Sequence, residues 1–176
     1  MTDAPFIIGP LSSKHDRSSF TCGVGPLDQY FRRQASQDIR RRIASCFVIV
    51  EAATGAIAGY YTLSATNLRL RELPEAMAGR LSRYPIVPAV LVGRLAVAAA
   101  YQGRKLGAVL LGDAVMRTAK ADIAAFAIVV DPKDDNARRF YRHYGFIELP
   151  QPERRMFIPT ETALRYFRSR GEAGRG

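Results

Sequence analysis

The fold is decided by Val90-Leu91-Val92-Gly93-Arg94-Leu95-Ala96-Val97 and the following Gln102-Gly103-Arg104-Lys105-Leu106-Gly107-Ala108. The first run is continuous and apolar, as a buried strand requires, and Arg94 interrupts it. The glycine-containing loop Gln102–Gly107 then opens a helix whose pattern extends through Ala121. Ala124–Val130 is a second apolar run, too continuous to face water on one side, and it ends at Asp131-Pro132. Strand, loop, helix and strand form a βαβ unit, which predicts two parallel strands.

Working outward, Phe6–Leu11 reads as an edge strand and Ser12–Thr21 as a polar loop. Gly25-Pro26 opens a helix carrying Leu27, Tyr30, Phe31 and Ala35 at helical spacing. It ends at Arg40-Arg41-Arg42, whose charge suits a helix C-terminus. Ile43–Ala53 and Ala56–Leu70, separated by Thr54-Gly55, predict a β-hairpin. A short helix is expected over Glu72–Arg83, and a longer one over Asp134–Tyr144 ended by Gly145. Phe146–Leu149 and Arg154–Pro159 read as a final hairpin. Residues 1–162 are expected to form a single domain, with 163–176 as a basic, fraying helical tail.

The 176 residues are 48% hydrophobic and 24% charged, which excludes a disordered chain, a collagen and a highly charged coiled coil. No apolar run reaches the roughly 18 to 20 residues of a membrane span, and Met1–Leu11 lacks the pattern of a signal peptide. Cys22, in a polar turn, and Cys46, in an apolar run, show neither metal spacing nor a disulfide framework. No metal is expected, and the cytoplasm is the expected compartment.

Charge is the unusual quantity, because 26 Lys+Arg against 16 Asp+Glu gives +10 at neutral pH. All the cations except Lys14, Lys105, Lys120 and Lys133 are arginine. Genome composition accounts for Arg over Lys but not for the excess over acids, so polyanions become plausible partners.

Two constellations carry chemistry. The loop Gln102–Ala108 at a helix start presents free backbone N–H groups and a positive dipole end, which suits a pyrophosphate. Alone it also reads as a tight strand-to-helix turn, and it is neither a Walker loop nor a dinucleotide fingerprint. The second is Asn136-Ala137-Arg138-Arg139-Phe140-Tyr141-Arg142-His143-Tyr144-Gly145-Phe146. Its spacing puts Ala137, Phe140 and Tyr144 on one helix face and Asn136, Arg139 and His143 on another.

Together these motifs resemble the GNAT family of acetyl-CoA-dependent N-acetyltransferases. Phe20-x-Cys22-Gly23-x-x-x-Leu27-Asp28-x-Tyr30, Gly59-Tyr60-Tyr61-Thr62-Leu63-Ser64 and Pro88-x-Val90-Leu91-x-Gly93-Arg94-Leu95-Ala96-Val97 narrow this. They resemble the GNAT toxins of bacterial toxin–antitoxin modules, the TacT type, from Pro10 to Pro159. The resemblance implies an α/β (α+β) fold with a mixed, V-shaped central sheet flanked by helices and acetyl-CoA as cosubstrate. It implies that main-chain groups of Leu95, Ala96 and Val97 pair with the pantetheine arm. The amides of Gln102, Gly103, Arg104, Lys105, Leu106, Gly107 and Ala108 would hold the pyrophosphate. Asn136 and Arg139 match cofactor contacts, and Tyr141 matches the general acid. The family loop usually has glycine where this chain has Lys105, so ordinary backbone angles and a slightly altered loop are expected there.

Acetyl transfer needs an unprotonated amine, a polarised carbonyl and a protonated leaving thiolate. No carboxylate stands out as general base. An α-amino group, at about 7.7 to 8.0, does without one more readily than a lysine at about 10.4, and an ester on the same residue lowers it further. An aminoacyl-tRNA has such an amine, and its phosphates suit the charge. Candidate RNA contacts are Arg32, Arg33, Arg40, Arg41, Arg42 and Arg94, each also readable as a solvated surface cation and the last as a structural ion-pair partner. The expected function is acetylation of aminoacyl-tRNA, blocking translation, and the resemblance further implies a homodimer inhibited by a ribbon-helix-helix antitoxin that alone contacts DNA. The alternatives are a GNAT acting on a protein or small-molecule amine, and a non-catalytic binding domain on the same scaffold.

Overall fold

The computed structural model describes residues 5–150 and 154–173. Among the described residues seven strands follow the order β1-β2-β3-β4-β5-β7-β6 in one sheet. They are β1 (Phe6–Pro10), β2 (Ser45–Glu51), β3 (Ile57–Arg69), β4 (Ile86–Val97), β5 (Ala127–Val130), β6 (Ile147–Glu148) and β7 (Met156–Pro159). The helices are α1 (Gly25–Gln29), α2 (Ala35–Arg40), α3 (Glu75–Arg80), α4 (Leu106–Lys120), α5 (Asp135–His143) and α6 (Thr160–Ala173). No helix among them is long and apolar enough to cross a membrane. Two compact units can be described, one up to Ser64 with Gly93–Ala114, the other Ala65–Val92 with the chain from Val115 onward.

In the first unit, β1 lies at the sheet edge and pairs antiparallel with β2, Phe6 opposite Glu51 and Pro10 opposite Phe47. β2 and β3 form the expected antiparallel hairpin, turned by Gly55 at φ +73°. One sheet face presents Cys46, Val48, Tyr60 and Ala96 to Tyr30, Phe31 and Ala35 of the helical segment. The Phe31 and Tyr60 rings stack 4.2 Å apart, and Phe20 packs edge-on against both.

That segment corrects one expectation. Instead of a single α-helix, Tyr30–Gln34 forms a π-helical turn between α1 and α2, and the Ala35 amide donates to the Tyr30 carbonyl five residues back. Tyr30 and Phe31 are both buried, and the wider turn accommodates adjacent aromatics on the inner face. The segment ends as a Schellman motif: the Ile43 amide donates to the Asp38 carbonyl and the Arg42 amide to the Ile39 carbonyl. Arg42 holds φ +58° where glycine is usual.

In the second unit, the predicted parallel pair is present, from Ala89 opposite Ala127 to Val92 opposite Val130. All four residues of β5 are buried, which is why that run is unbroken by polar residues. β7 pairs antiparallel with both β5 and the edge strand β6. Leu68, Val87, Ala89, Val129, Leu149 and Phe157 form this unit's core. α3 is shorter than its sequence pattern, starting only after Pro74. α6 begins at Thr160, whose amide and hydroxyl donate to the carbonyls of Phe126 and Ala125. Ala163 is fully buried, so the helix spans the point where the sequence pattern placed the start of the tail.

Candidate active site

In the first unit, β4 delivers Leu95, Ala96 and Val97 to a short 3₁₀ turn, Ala99–Tyr101, and then to the loop before α4. Five hydrogen bonds fix this path. The Ala98 amide donates to the Ala58 carbonyl and the Ala99 amide to the Thr21 carbonyl, both at 2.8 Å. The Gln102 Nε2 donates to the carbonyls of Val97 at 3.1 Å and Cys22 at 3.0 Å. The Tyr101 hydroxyl donates to Glu51 Oε2 at 2.5 Å, tying the turn to the end of β2. Arg104 places its guanidinium 5.3 Å from the Tyr101 ring.

Gly59 on β3 is required for the close approach of β4. A Cβ there meets the Ala96 carbonyl oxygen at 2.7 Å and Leu110 Cδ1 at 3.0 Å. Gly59→Ala therefore destabilises the protein by about 1 to 3 kcal/mol and, because the displaced atom is backbone beside Leu95–Val97, also weakens acetyl-CoA binding. Thermal unfolding and calorimetric titration read the two effects separately, and an unchanged Tm would refute the close contact.

The loop carries two left-handed residues, Gly103 at φ +84° and Lys105 at φ +60°. This corrects the expectation of ordinary angles at Lys105: the loop keeps the glycine-type backbone with a side chain in place. The left-handed region costs a non-glycine residue roughly 1 to 2 kcal/mol. Such alternation turns successive amides toward one point, and the first turn of α4 adds donors without an acidic residue. This donor set fits a pyrophosphate. Lys105→Gly is expected to raise stability by about 1 kcal/mol while lowering acetyl-CoA affinity through loss of the ammonium. A Tm that falls would contradict the strain at this position.

The RNA-contact candidates divide by environment. Arg33, Arg40, Arg41 and Arg42 are exposed, and among the described residues none has a carboxylate within 4.0 Å. Arg32 is exposed and lies 3.8 Å from Asp28. Arg94 is half-buried, its guanidinium carbon 3.5 Å from the Tyr30 ring centroid. Sequence reasoning missed the buried carboxylates beneath them. Burial pushes the Asp28 carboxyl up, but hydrogen bonds from Cys22 and Thr21 and the charge of Arg32 leave it below its usual value. Asp38 accepts the Tyr30 hydroxyl at 2.8 Å. Burial and this hydrogen bond raise the Tyr30 phenol well above its ordinary value. The spacing 28, 31, 35, 38 was the available signal, since it sets both acids on the apolar helix face. Cys22 is buried. Cys46 is buried too, and its thiol is pushed up to about 12, which removes it as a nucleophile at neutral pH.

In the second unit, α5 is capped by Asp134, whose carboxylate accepts the Ala137 amide at 2.8 Å. Asn136 and Arg139 share one exposed face, with Arg139 Nη2 donating to Asn136 Oδ1 at 3.3 Å. Phe140 and Tyr144 pack together on the other. Tyr141 is buried against Phe140 and Phe146, with ring centroids 5.1 and 5.3 Å away. Its carbonyl accepts the amides of Tyr144 and Phe146 around Gly145 at φ +90°. Burial raises its phenol well above the ordinary range, so the hydroxyl keeps its proton at any working pH.

Residues 22–159 match the family model of the acetyltransferase (GNAT) domain. The chain is 36% identical over 140 residues to a tRNA-acetylating toxin of Mycobacterium tuberculosis, covering 77% of this chain and 81% of that protein. It is 28% identical over 166 residues to a probable toxin TacT of Sinorhizobium fredii, covering 89% and 92%. A solved structure of AtaT complexed with acetyl-methionyl-tRNAfMet is similar with a TM-score of 0.83 and 25% identity, over 93% of this chain and 99% of that one.

Proposed function

The chain belongs to the GNAT family of acetyltransferases, and from that premise we propose that it acetylates the α-amino group of aminoacyl-tRNA and so blocks translation. It is an acetyl-CoA-dependent N-acetyltransferase. The similarity to a toxin that acetylates tRNA, over most of both chains, carries the choice of substrate. The charge of +10 and the exposed arginines 33 and 40–42 support it.

When bound, acetyl-CoA supplies an acetyl group activated as a thioester. The main chain of Leu95, Ala96 and Val97 is assigned to the pantetheine arm, and the amides from Gln102 to Ala108 to the pyrophosphate, with Lys105 adding charge. Asn136 and Arg139 are assigned to further cofactor contacts. An N–H at the end of β4, near Val97, would polarise the reacting carbonyl. Tyr141 would act as general acid, giving its proton to the thioester sulfur as the C–S bond breaks and the acceptor amine forms the C–N bond. The acceptor ammonium would release its proton to solvent without a dedicated carboxylate, because an ester beside an α-amino group holds its pKa below about 7.7.

Residues 1–162 are assigned to the catalytic domain and 163–176 to a basic C-terminal segment. The chain acts as a cytoplasmic homodimer, and a ribbon-helix-helix antitoxin with an acidic segment covers the basic face and carries any contact with DNA. A cell-free translation reaction tests the function. Added enzyme arrests synthesis only when acetyl-CoA is present, and fresh charged tRNA restores it once the enzyme is removed. Arrest without acetyl-CoA, or no arrest with it, contradicts the reading.

A further inference from the structure

One arginine of the first unit is held in place by an aromatic ring rather than by a carboxylate. Arg94 lies half-buried on β4 directly before Leu95, stacked at 3.5 Å on the ring of buried Tyr30. Strand alternation puts it on the same sheet face as Ala96, which packs with Tyr30, Phe31 and Tyr60. The other face of this sheet meets α4, where Leu110 approaches Gly59 and Tyr61 donates to Asp113 at 2.6 Å. Arg94 therefore stands on the α1–α2 side of the strand, whereas the Gln102–Ala108 loop leads to the helix on the opposite side.

A guanidinium drawn against a buried aromatic core would be expected to pair with any free carboxylate within reach. Both carboxylates beneath it are engaged elsewhere, Asp28 by Cys22, Thr21 and Arg32, and Asp38 by the Tyr30 hydroxyl. Among the described residues Arg94 has no hydrogen-bond acceptor and no ion-pair partner. No buried side-chain nitrogen among them is left unsatisfied, so the donor edge of Arg94 reaches solvent. The stack on Tyr30 fixes the plane of the fork, and a fixed fork matches the two free oxygens of a phosphodiester.

We propose that Arg94 is a positioning residue whose guanidinium, laid flat on Tyr30, receives the phosphodiester adjoining the aminoacylated terminal nucleotide of the RNA substrate. The inference rests on the tRNA reading and adds a contact that sets the acceptor amine relative to β4. The cofactor's own phosphates are assigned to the loop leading to the other face, so they do not account for this arginine.

The test compares two acceptors, an aminoacyl dinucleotide with one phosphodiester and an aminoacyl adenosine with none, alongside intact charged tRNA. The readout is the ratio of kcat/KM for the dinucleotide to that for the adenosine. Arg94→Ala is expected to lower this ratio at least about tenfold, and Arg94→Lys, which keeps charge but loses the fork, by about threefold or more. If Arg94→Ala does not fold, the lysine variant carries the test. An unchanged ratio with both acceptors equally impaired overturns the inference and makes Arg94 structural. A changed KM for acetyl-CoA with an unchanged ratio assigns it to the cofactor instead. Wild-type transfer to none of the three acceptors overturns the substrate reading and this inference together.

Discussion

Tyr141→Phe lowers kcat by about 10² to 10³ while leaving the fold and acetyl-CoA affinity intact. The ring stays packed between Phe140 and Phe146, and only the proton donor is lost. Burial keeps the wild-type hydroxyl protonated, which shapes the pH dependence. The rate rises as the acceptor amine loses its proton, levels off near or below about pH 8, and shows no falling limb from the tyrosine up to about pH 10. Steady-state kinetics on both proteins across this range provides the check. Near-wild-type turnover, or a falling limb that disappears in the variant near neutral pH, would remove Tyr141 from the general-acid role.

Replacing Arg40, Arg41 and Arg42 together by glutamate weakens tRNA binding by about 10²-fold at moderate salt. The three side chains are exposed at the end of α2, and the left-handed Arg42 fixes the chain where they emerge. If each neutralises one phosphate, the slope of log affinity against log salt flattens by about 2 to 3. Reversed charge at a helix C-terminus also costs about 0.3 to 1 kcal/mol per residue, so the glutamine triple variant separates binding from stability. Titration of tRNA at several salt concentrations reads both quantities. An unchanged slope would return these arginines to ordinary surface cations.

The βαβ unit, the hairpin and α5 were legible because their signals are local. A buried parallel strand such as β5 must be apolar throughout, and Gly55 and Gly145 mark turns that need positive φ. The features that escaped the sequence depend on tertiary packing. An extra residue in the turn at Tyr30–Gln34 leaves no trace in a period-3.6 pattern, since burying two adjacent aromatics is a demand of the sheet above them. Left-handed arginine and lysine at 42 and 105 run against intrinsic preference and persist because hydrogen bonds on either side dictate the path. The loop before α4 was readable as a glycine-containing strand-to-helix turn, whereas the Arg94 stack was not. Arg94 and Tyr30 are distant in sequence and meet only when α1–α2 folds onto β4.

The central claim is most directly tested by acetyl transfer from radiolabelled acetyl-CoA to a mixed pool of charged tRNAs, with deacylated tRNA and a lysine-rich protein as parallel acceptors. Label is expected on charged tRNA alone, released as an N-acetyl amino acid when the ester is hydrolysed. Label on the protein but not on charged tRNA would leave the acetyltransferase fold standing and contradict the proposed function.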